Sequence, residues 1–173
     1  QWGLDDNSVS QGAAFADLDR DGYPDLYVCN WFKPDILYRN TGKNHFEIVP
    51  LNIKHLTDSL NSNGVTFGDI DNDGNLDLLV TDRNGHSALY RNDHQPGDTL
   101  WRFHDITEQS ALRLPFPSYG SVVADFNNDG FQDIWVNAIG PNMLYMNQGN
   151  TLFQKVFEEE CSPHSHSKYY STG

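Results

Sequence analysis

The sequence is short of basic residues. Its 11 Lys and Arg stand against 24 Asp and Glu, for a formal net charge of −13 over 173 residues. Nucleic-acid phosphates are held by clustered cations, so the composition argues against nucleic acid as a partner. Long apolar runs are also missing. None approaches the roughly 18 residues of a membrane helix, and no membrane span is expected. No Asn-x-Ser/Thr glycosylation acceptor occurs. The two cysteines, Cys29 and Cys161, are too few for a disulfide framework and neither belongs to a CxxC pair. They are read as separate thiols, with a single bridge within or between chains as the other reading. Helical periodicity is scarce, and FEEECS (157–162) offers one turn at best. No signal-peptide pattern opens the chain, and Gln1 is not an initiator methionine, so a processed or excised piece is expected. What remains is 38% hydrophobic and 13% aromatic, the composition of a folded protein.

The content of the chain is a repeat. GAAFADLDRDGYPDLYV from Gly12, GVTFGDIDNDGNLDLLV from Gly64 and GSVVADFNNDGFQDIWV from Gly120 superimpose. Each is followed by Leu-Tyr-x-Asn, at residues 37–40, 89–92 and 144–147, and then by a Phe with Val or Ile three residues on. Each unit reads as four short strands. In the second unit these are GVTFGD, LDLLVTD, SALYRN and RFHDIT, rich in β-branched and aromatic residues and separated by Gly, Asn, Asp or Pro. Units of about 50 residues with four strands match one β-propeller blade. The expected fold is all-β: three blades of four antiparallel strands in a single propeller segment over 1–173. The repeats cover approximately 12–63, 64–119 and 120–172, with an inter-blade linker at 1–11. Leu4, Leu56 and Leu112 each precede the leading glycine by eight residues, and YSTG at the end looks like the start of a fourth unit.

Each unit carries an acidic loop. Positions 1, 3, 5 and 9 are Asp17, Asp19, Asp21 and Asp25 in the first and Asp69, Asp71, Asp73 and Asp77 in the second. In the third they are Asp125, Asn127, Asp129 and Asp133. Gly22, Gly74 and Gly130 at position 6 allow a sharp turn. Position 7 (Tyr23, Asn75, Phe131) would lend a backbone carbonyl, so its side chain is free to vary. Oxygen donors in this number suit Ca²⁺, about three ions in all, better than Mg²⁺, which keeps its waters. No Cys or His belongs to the pattern, which disfavours zinc and iron. The EF-hand shares the first half of this loop but needs Glu at position 12; here Val28, Val80 and Val136 stand there. The loops hold 11 of the 24 acidic residues, and three bound Ca²⁺ would bring the net charge to −7. The cation would fix the turn between the first two strands of each blade and add its binding free energy to stability. Asn127 makes the third loop the expected weakest binder.

FADLDRDGYPDLYV, FGDIDNDGNLDLLV and VADFNNDGFQDIWV, each followed by LYxN, resemble FG-GAP/VCBS repeats, the calcium-loop blades of integrin α-chain propellers and many bacterial secreted proteins. The resemblance implies a propeller with calcium loops on one face, commonly of seven blades. Three blades leave open edges and apolar blade faces. Further blades, or other copies of the chain in a closed ring or an open array, are therefore the expected partners.

Phe15, Phe67, Leu26, Leu78, Ile134, Tyr38, Tyr90 and Tyr145 recur in register and are read as blade core. Trp31 and Phe32 are either a contact site for a protein or sugar, or are buried against a neighbouring blade. His164 and His166 lie two apart with no evident third ligand, and no Ser-His-Asp arrangement emerges. The leading reading is a non-catalytic, calcium-stabilised scaffold, extracellular or at the cell surface, for adhesion, recognition or assembly, with protein or glycan ligands open. The alternative is the propeller part of a secreted polysaccharide-acting enzyme or lectin whose active residues lie elsewhere.

Overall fold

The computed structural model describes residues 2–51, 53, 61–98, 101–112, 114 and 116–158. It contains twelve strands in three four-stranded antiparallel sheets. The first sheet is β1 (Val9–Ala16), β2 (Asp25–Trp31), β3 (Ile36–Asn40) and β4 (Phe46–Val49). The second is β5 (Ser62–Gly68), β6 (Asp77–Asp82), β7 (Ala88–Asn92) and β8 (Phe103–Asp105). The third is β9 (Ser118–Ala124), β10 (Asp133–Ala138), β11 (Met143–Asn147) and β12 (Phe153–Glu158). Within each sheet the strands pair in chain order. These are three propeller-type blades, as the repeat predicts. Among the described residues there is no helix. Phe157 and Glu158, read from sequence as the start of a helical turn, instead end β12, paired with Leu144 and Met143 of β11. Strand pairing satisfies backbone groups that a single isolated turn would leave open. Cys161, His164, His166, Leu56 and YSTG lie outside the described residues.

The second strand of each blade explains its unbroken apolar run. It is sandwiched between neighbours, so both of its faces need apolar residues. Tyr27 and Cys29 on β2 join Leu37, Val49 and Leu18 in a cluster with Leu78, Val80, Ala88 and Tyr90 of the second blade. From the other face of that blade, Leu79, Leu89, Ile70 and Ile106 meet Ile134, Val136, Met143, Tyr145 and Phe153 of the third. The remaining face of blade 1 presents Val28, Tyr38 and Phe46, with Leu26 and Ile36 beside them. The N-terminal segment reaches this face, where the Phe46 N–H donates to the Trp2 carbonyl at 2.8 Å.

First strands of adjacent blades approach backbone to backbone. A Cβ on Gly12 would lie 2.6 Å from the Asn63 carbonyl oxygen, and one on Gly64 would lie 2.8 Å from that of Tyr119. Any side chain there would push the blades apart, which is why each unit opens on glycine. Each of these glycines follows a register shift in its strand pairing, between Ser10 and Gly12, Ser62 and Gly64, and opposite Asn137 and Ala138 in the third blade. The bulge turns the strand so that the carbonyl before the glycine faces the preceding blade.

Trp31 is half-buried, its Nε1–H donating to Asn63 Oδ1 at 3.1 Å and its ring carrying the Arg83 guanidinium at 4.9 Å. Phe32 projects into solvent. Of the aromatic pair, Trp31 therefore packs against the next blade and Phe32 does not. Phe15, expected in the core, is also exposed. Its counterparts Phe67 and Val123 pack against clusters contributed by the preceding blade, which Phe15 lacks. Cys29 is a buried free thiol whose pKa burial pushes far up.

Two carboxyls outside the loops, Asp35 and Asp82, are sealed in the fold. Asp35 is buried; its Oδ1 accepts the Asn30 N–H and its Oδ2 the Tyr27 hydroxyl, both at 2.8 Å. Burial raises its pKa to about 6, against the pull of those hydrogen bonds and with the Asp82 charge adding to the rise. A folded-state value above the unfolded one means that the native protein takes up this proton more readily. The contribution of Asp35 to stability therefore grows as pH falls from 7 toward 4 and is lost as pH rises through about 6. Asp35→Asn keeps the shape and an acceptor for Asn30. Urea unfolding across this range is expected to give a flatter stability curve for the variant than for the parent, with the variant the more stable at pH 8.

Candidate metal centre

The three loops between first and second strands share one backbone. Position 6 is left-handed at Gly22, Gly74 and Gly130 (φ 88°, 87° and 91°), and so is position 4 at Arg20, Asn72 and Asn128 (φ 57°, 58° and 59°). Two left-handed residues two apart curl the chain tightly enough to bring the odd-numbered side chains together. Asn tolerates this conformation well, whereas Arg20 meets a steric cost.

Position 1 organises the loop. Asp17 accepts the N–H groups of Asp21 (3.1 Å) and Gly22 (3.0 Å), Asp69 those of Asp73 (3.0 Å) and Gly74 (3.0 Å), and Asp125 those of Asp129 (3.1 Å) and Gly130 (2.9 Å). Position 5 accepts the N–H of position 7: Tyr23 to Asp21 at 2.9 Å, Asn75 to Asp73 at 2.7 Å, Phe131 to Asp129 at 2.9 Å. Carboxylate oxygens converge as a result. One oxygen each from Asp17, Asp19 and Asp21 lie within 4.8 Å of one another, as do one each from Asp69, Asp71 and Asp77. In the third loop Asn127 replaces the middle carboxylate and donates from Nδ2 to Asp129 Oδ2 at 2.8 Å. Burial first, then the neighbouring Asp73 charge, pushes the pKa of Asp71 above the ordinary carboxylate range. Crowded oxygen donors of this kind fit a hard divalent cation.

Position 9 has a second task. Asp25 Oδ2 accepts the Leu18 N–H at 3.0 Å and Oδ1 the Asn40 N–H at 2.9 Å. Asp77 does the same with Ile70 and Asn92 (2.9 Å each), and Asp133 with Phe126 (2.9 Å) and Asn147 (2.8 Å). All three aspartates are buried. The carboxylate thus pins position 2 of the loop to the end of the third strand. Burial pushes the pKa of both Asp25 and Asp77 up to about 7, against the pull of these backbone donors.

The asparagine of Leu-Tyr-x-Asn was not assigned a role from sequence, and it is a structural member of the site. Asn92 Nδ2 donates to the Leu76 carbonyl of its own blade (3.2 Å) and to the Leu18 carbonyl in the preceding loop (3.1 Å). Asn147 Nδ2 donates likewise to Gln132 (3.2 Å) and to Ile70 of the preceding loop (2.9 Å). Its recurrence 14 or 15 residues after the position-9 aspartate was the available signal.

The residue before that asparagine differs between units. Arg39 reaches loop 1, with Nε 2.6 Å from Asp19 Oδ2 and Nη2 3.1 Å from Asp21 Oδ2. Arg91 turns instead to Asp93, at 2.6 and 3.1 Å, and His104 Nε2 lies 2.9 Å from the same carboxylate. The third unit has Met146 there. At position 7, Asn75 is buried and bonded to Asp73 Oδ2 at 2.9 Å, whereas Tyr23 is exposed.

A family model described as the FG-GAP-like repeat matches residues 17–80 and again 71–136, so its matches run through all three loops. The chain belongs to the FG-GAP-like repeat family. Cartilage acidic protein 1 of Xenopus tropicalis is 26% identical to it in an alignment 167 residues long that covers 94% of this chain and 25% of that protein. This FG-GAP-like segment spans about a quarter of the length of that relative.

The two kinds of aspartate separate in a mutational test. Asp133→Ala leaves two amide groups without their acceptor, and is expected to cost roughly 2–5 kcal/mol of unfolding free energy. Because the two amide bonds need no ion, a loss of this size should persist in EGTA when read by urea denaturation.

Proposed function

We propose that this chain is a non-catalytic, calcium-stabilised propeller segment that serves as a rigid interaction scaffold. The observation that carries the reading is the convergence of Asp17, Asp19 and Asp21, and of Asp69, Asp71 and Asp77, within 4.8 Å in loops of one shared backbone. In the first two loops the carboxylates at positions 1, 3, 5 and 9 would hold the ion, with the carbonyl of Tyr23 or Asn75 as a further donor. The third loop would use Asp125, Asn127, Asp129, the Phe131 carbonyl and Asp133. A bound Ca²⁺ supplies charge compensation and clamps the turn between the first two strands.

Arg39 already compensates two carboxylates of loop 1, and Asn127 removes one from loop 3. Loop 2 therefore keeps the fullest demand for a cation. Sites of moderate affinity fit an extracellular or cell-surface setting, where calcium is millimolar. A non-catalytic role is supported by the position of Asp35, a carboxyl outside the loops with a raised pKa, which is occupied by Tyr27 and Asn30 inside a blade rather than free for chemistry. The membership in a repeat family built on propeller-type blades supports protein interaction as the role.

Differential scanning calorimetry in calcium and in EGTA tests the reading. Calcium at about 100 times its Kd is expected to add roughly 2.7 kcal/mol per occupied site, and so to raise Tm. Asp71→Ala should lower Tm in calcium and leave it unchanged in EGTA. An equal fall in both buffers, or no calcium-dependent rise in the parent, overturns the metal reading.

A further inference from the structure

We propose that the cavity between blade 1 and the long β7–β8 connection of blade 2 binds a neutral sugar residue of a glycan. This rests on reading the chain as an interaction scaffold, and names a ligand class for it.

The connection is peculiar to the second unit. Residues 41–45 join β3 to β4 and 148–152 join β11 to β12, whereas 93–102 join β7 to β8. A blade does not need the extra length, since the other two close without it. Its base is fixed. The Asp93 N–H donates to the Arg102 carbonyl at 2.8 Å and the His94 N–H to Asn92 Oδ1 at 3.1 Å. Trp101 is held in a ring stack, its centroid 5.1 Å from that of His94 and 6.3 Å from that of Phe103. The indole is therefore oriented before any ligand arrives.

Between this connection and β4 lies a cavity of about 530 Å³, within the usual size of a small-molecule site. Its wall has two characters. Trp101 and Pro50 give it apolar surface, while Arg39, Glu47 and Asp98 bring charges of both signs. Glu47 stands opposite Arg39 in the β3–β4 pairing, so both side chains leave the sheet on one face. His94 lines the cavity too. It is 3% exposed, and its Nδ1 meets no hydrogen-bond partner among the described residues. A buried polar nitrogen left in this state costs stability, and a ligand bonded to it removes that cost. A hydroxyl suits this nitrogen in either tautomer, because it both donates and accepts. Hydroxyls suit the charged wall for the same reason: they donate to Glu47 and Asp98 and accept from Arg39. A cation would meet Arg39, and an anion would meet two carboxylates. A pyranose combines such hydroxyls with an apolar C–H face, which covers the Trp101 and Pro50 surface.

Saturation-transfer difference NMR on the chain tests this, with methyl α-mannopyranoside, methyl β-galactopyranoside, methyl β-glucopyranoside and N-acetylglucosamine as probes. Acetate and butylamine serve as charged controls. Transfer to at least one sugar is expected, and none to either control. Glu47→Ala alters an exposed side chain and should keep the parent's circular dichroism and Tm. Titration of the sugar that binds should show it held roughly tenfold more weakly by that variant, and Trp101→Ala should abolish the transfer. No transfer to any of the four sugars, transfer of equal size to acetate or butylamine, or an affinity unchanged in either variant overturns the proposal. Calorimetry of the same sample reads calcium separately. A calcium-dependent rise in Tm without sugar binding removes this ligand and leaves the metal-stabilised scaffold, and sugar binding without that rise does the reverse.

Discussion

The fold depends on a carboxylate that accepts two amide hydrogens from distant points of the chain. Asp25, Asp77 and Asp133 each tie the second residue of an acidic loop to the last residue of the third strand. Without this bond the loop would hang from the sheet by its ends only, and its crowded charges would splay it. With it, the loop carbonyl at position 2 is presented at a fixed height, where the next blade's asparagine finds it. One buried side chain per unit thus sets the turn, the strand end and the joint. The cost is a charge held away from water, visible as the raised pKa of Asp25 and Asp77.

Much of this was legible in the residues. Glycine spacing, four short β-rich runs per unit and the failure of position 12 to carry glutamate led to the blade, its order and the exclusion of an EF-hand. Positions 1, 3, 5 and 9 were all expected to converge; positions 1, 3 and 5 do so in the first loop and positions 1, 3 and 9 in the second. Other features stayed hidden for physical reasons. A sequence records that Asp77 recurs, but an oxygen aimed at a cation and one aimed at a backbone amide require the same residue type. Asn92 drew no role because its second partner is 74 residues away in the chain. Phe15 read as core because its repeats are core; that it lies on an open face depends on what stands beside it, which no local pattern encodes.

The unequal surroundings of the three loops show how repeats diverge without losing their frame. Every bond from position 1 and position 9 goes to the main chain, and these bonds are kept in all three units. Side-chain partners vary: a guanidinium over loop 1, an amide inside loop 3, an arginine diverted to Asp93 beside loop 2. Electrostatic compensation is therefore local to each unit, while geometry is common to all.

The same division has an evolutionary corollary. Because each joint is written in glycine, a main-chain carbonyl and one asparagine, it does not ask which apolar residue occupies the rest of the contact: Leu18, Ile70 and Phe126 stand at one equivalent position. A unit of this sort can be duplicated, deleted or moved and still meet a neighbour it has never encountered. Modules so interchangeable let a lineage change the number of blades by recombination alone, with no new recognition chemistry to invent.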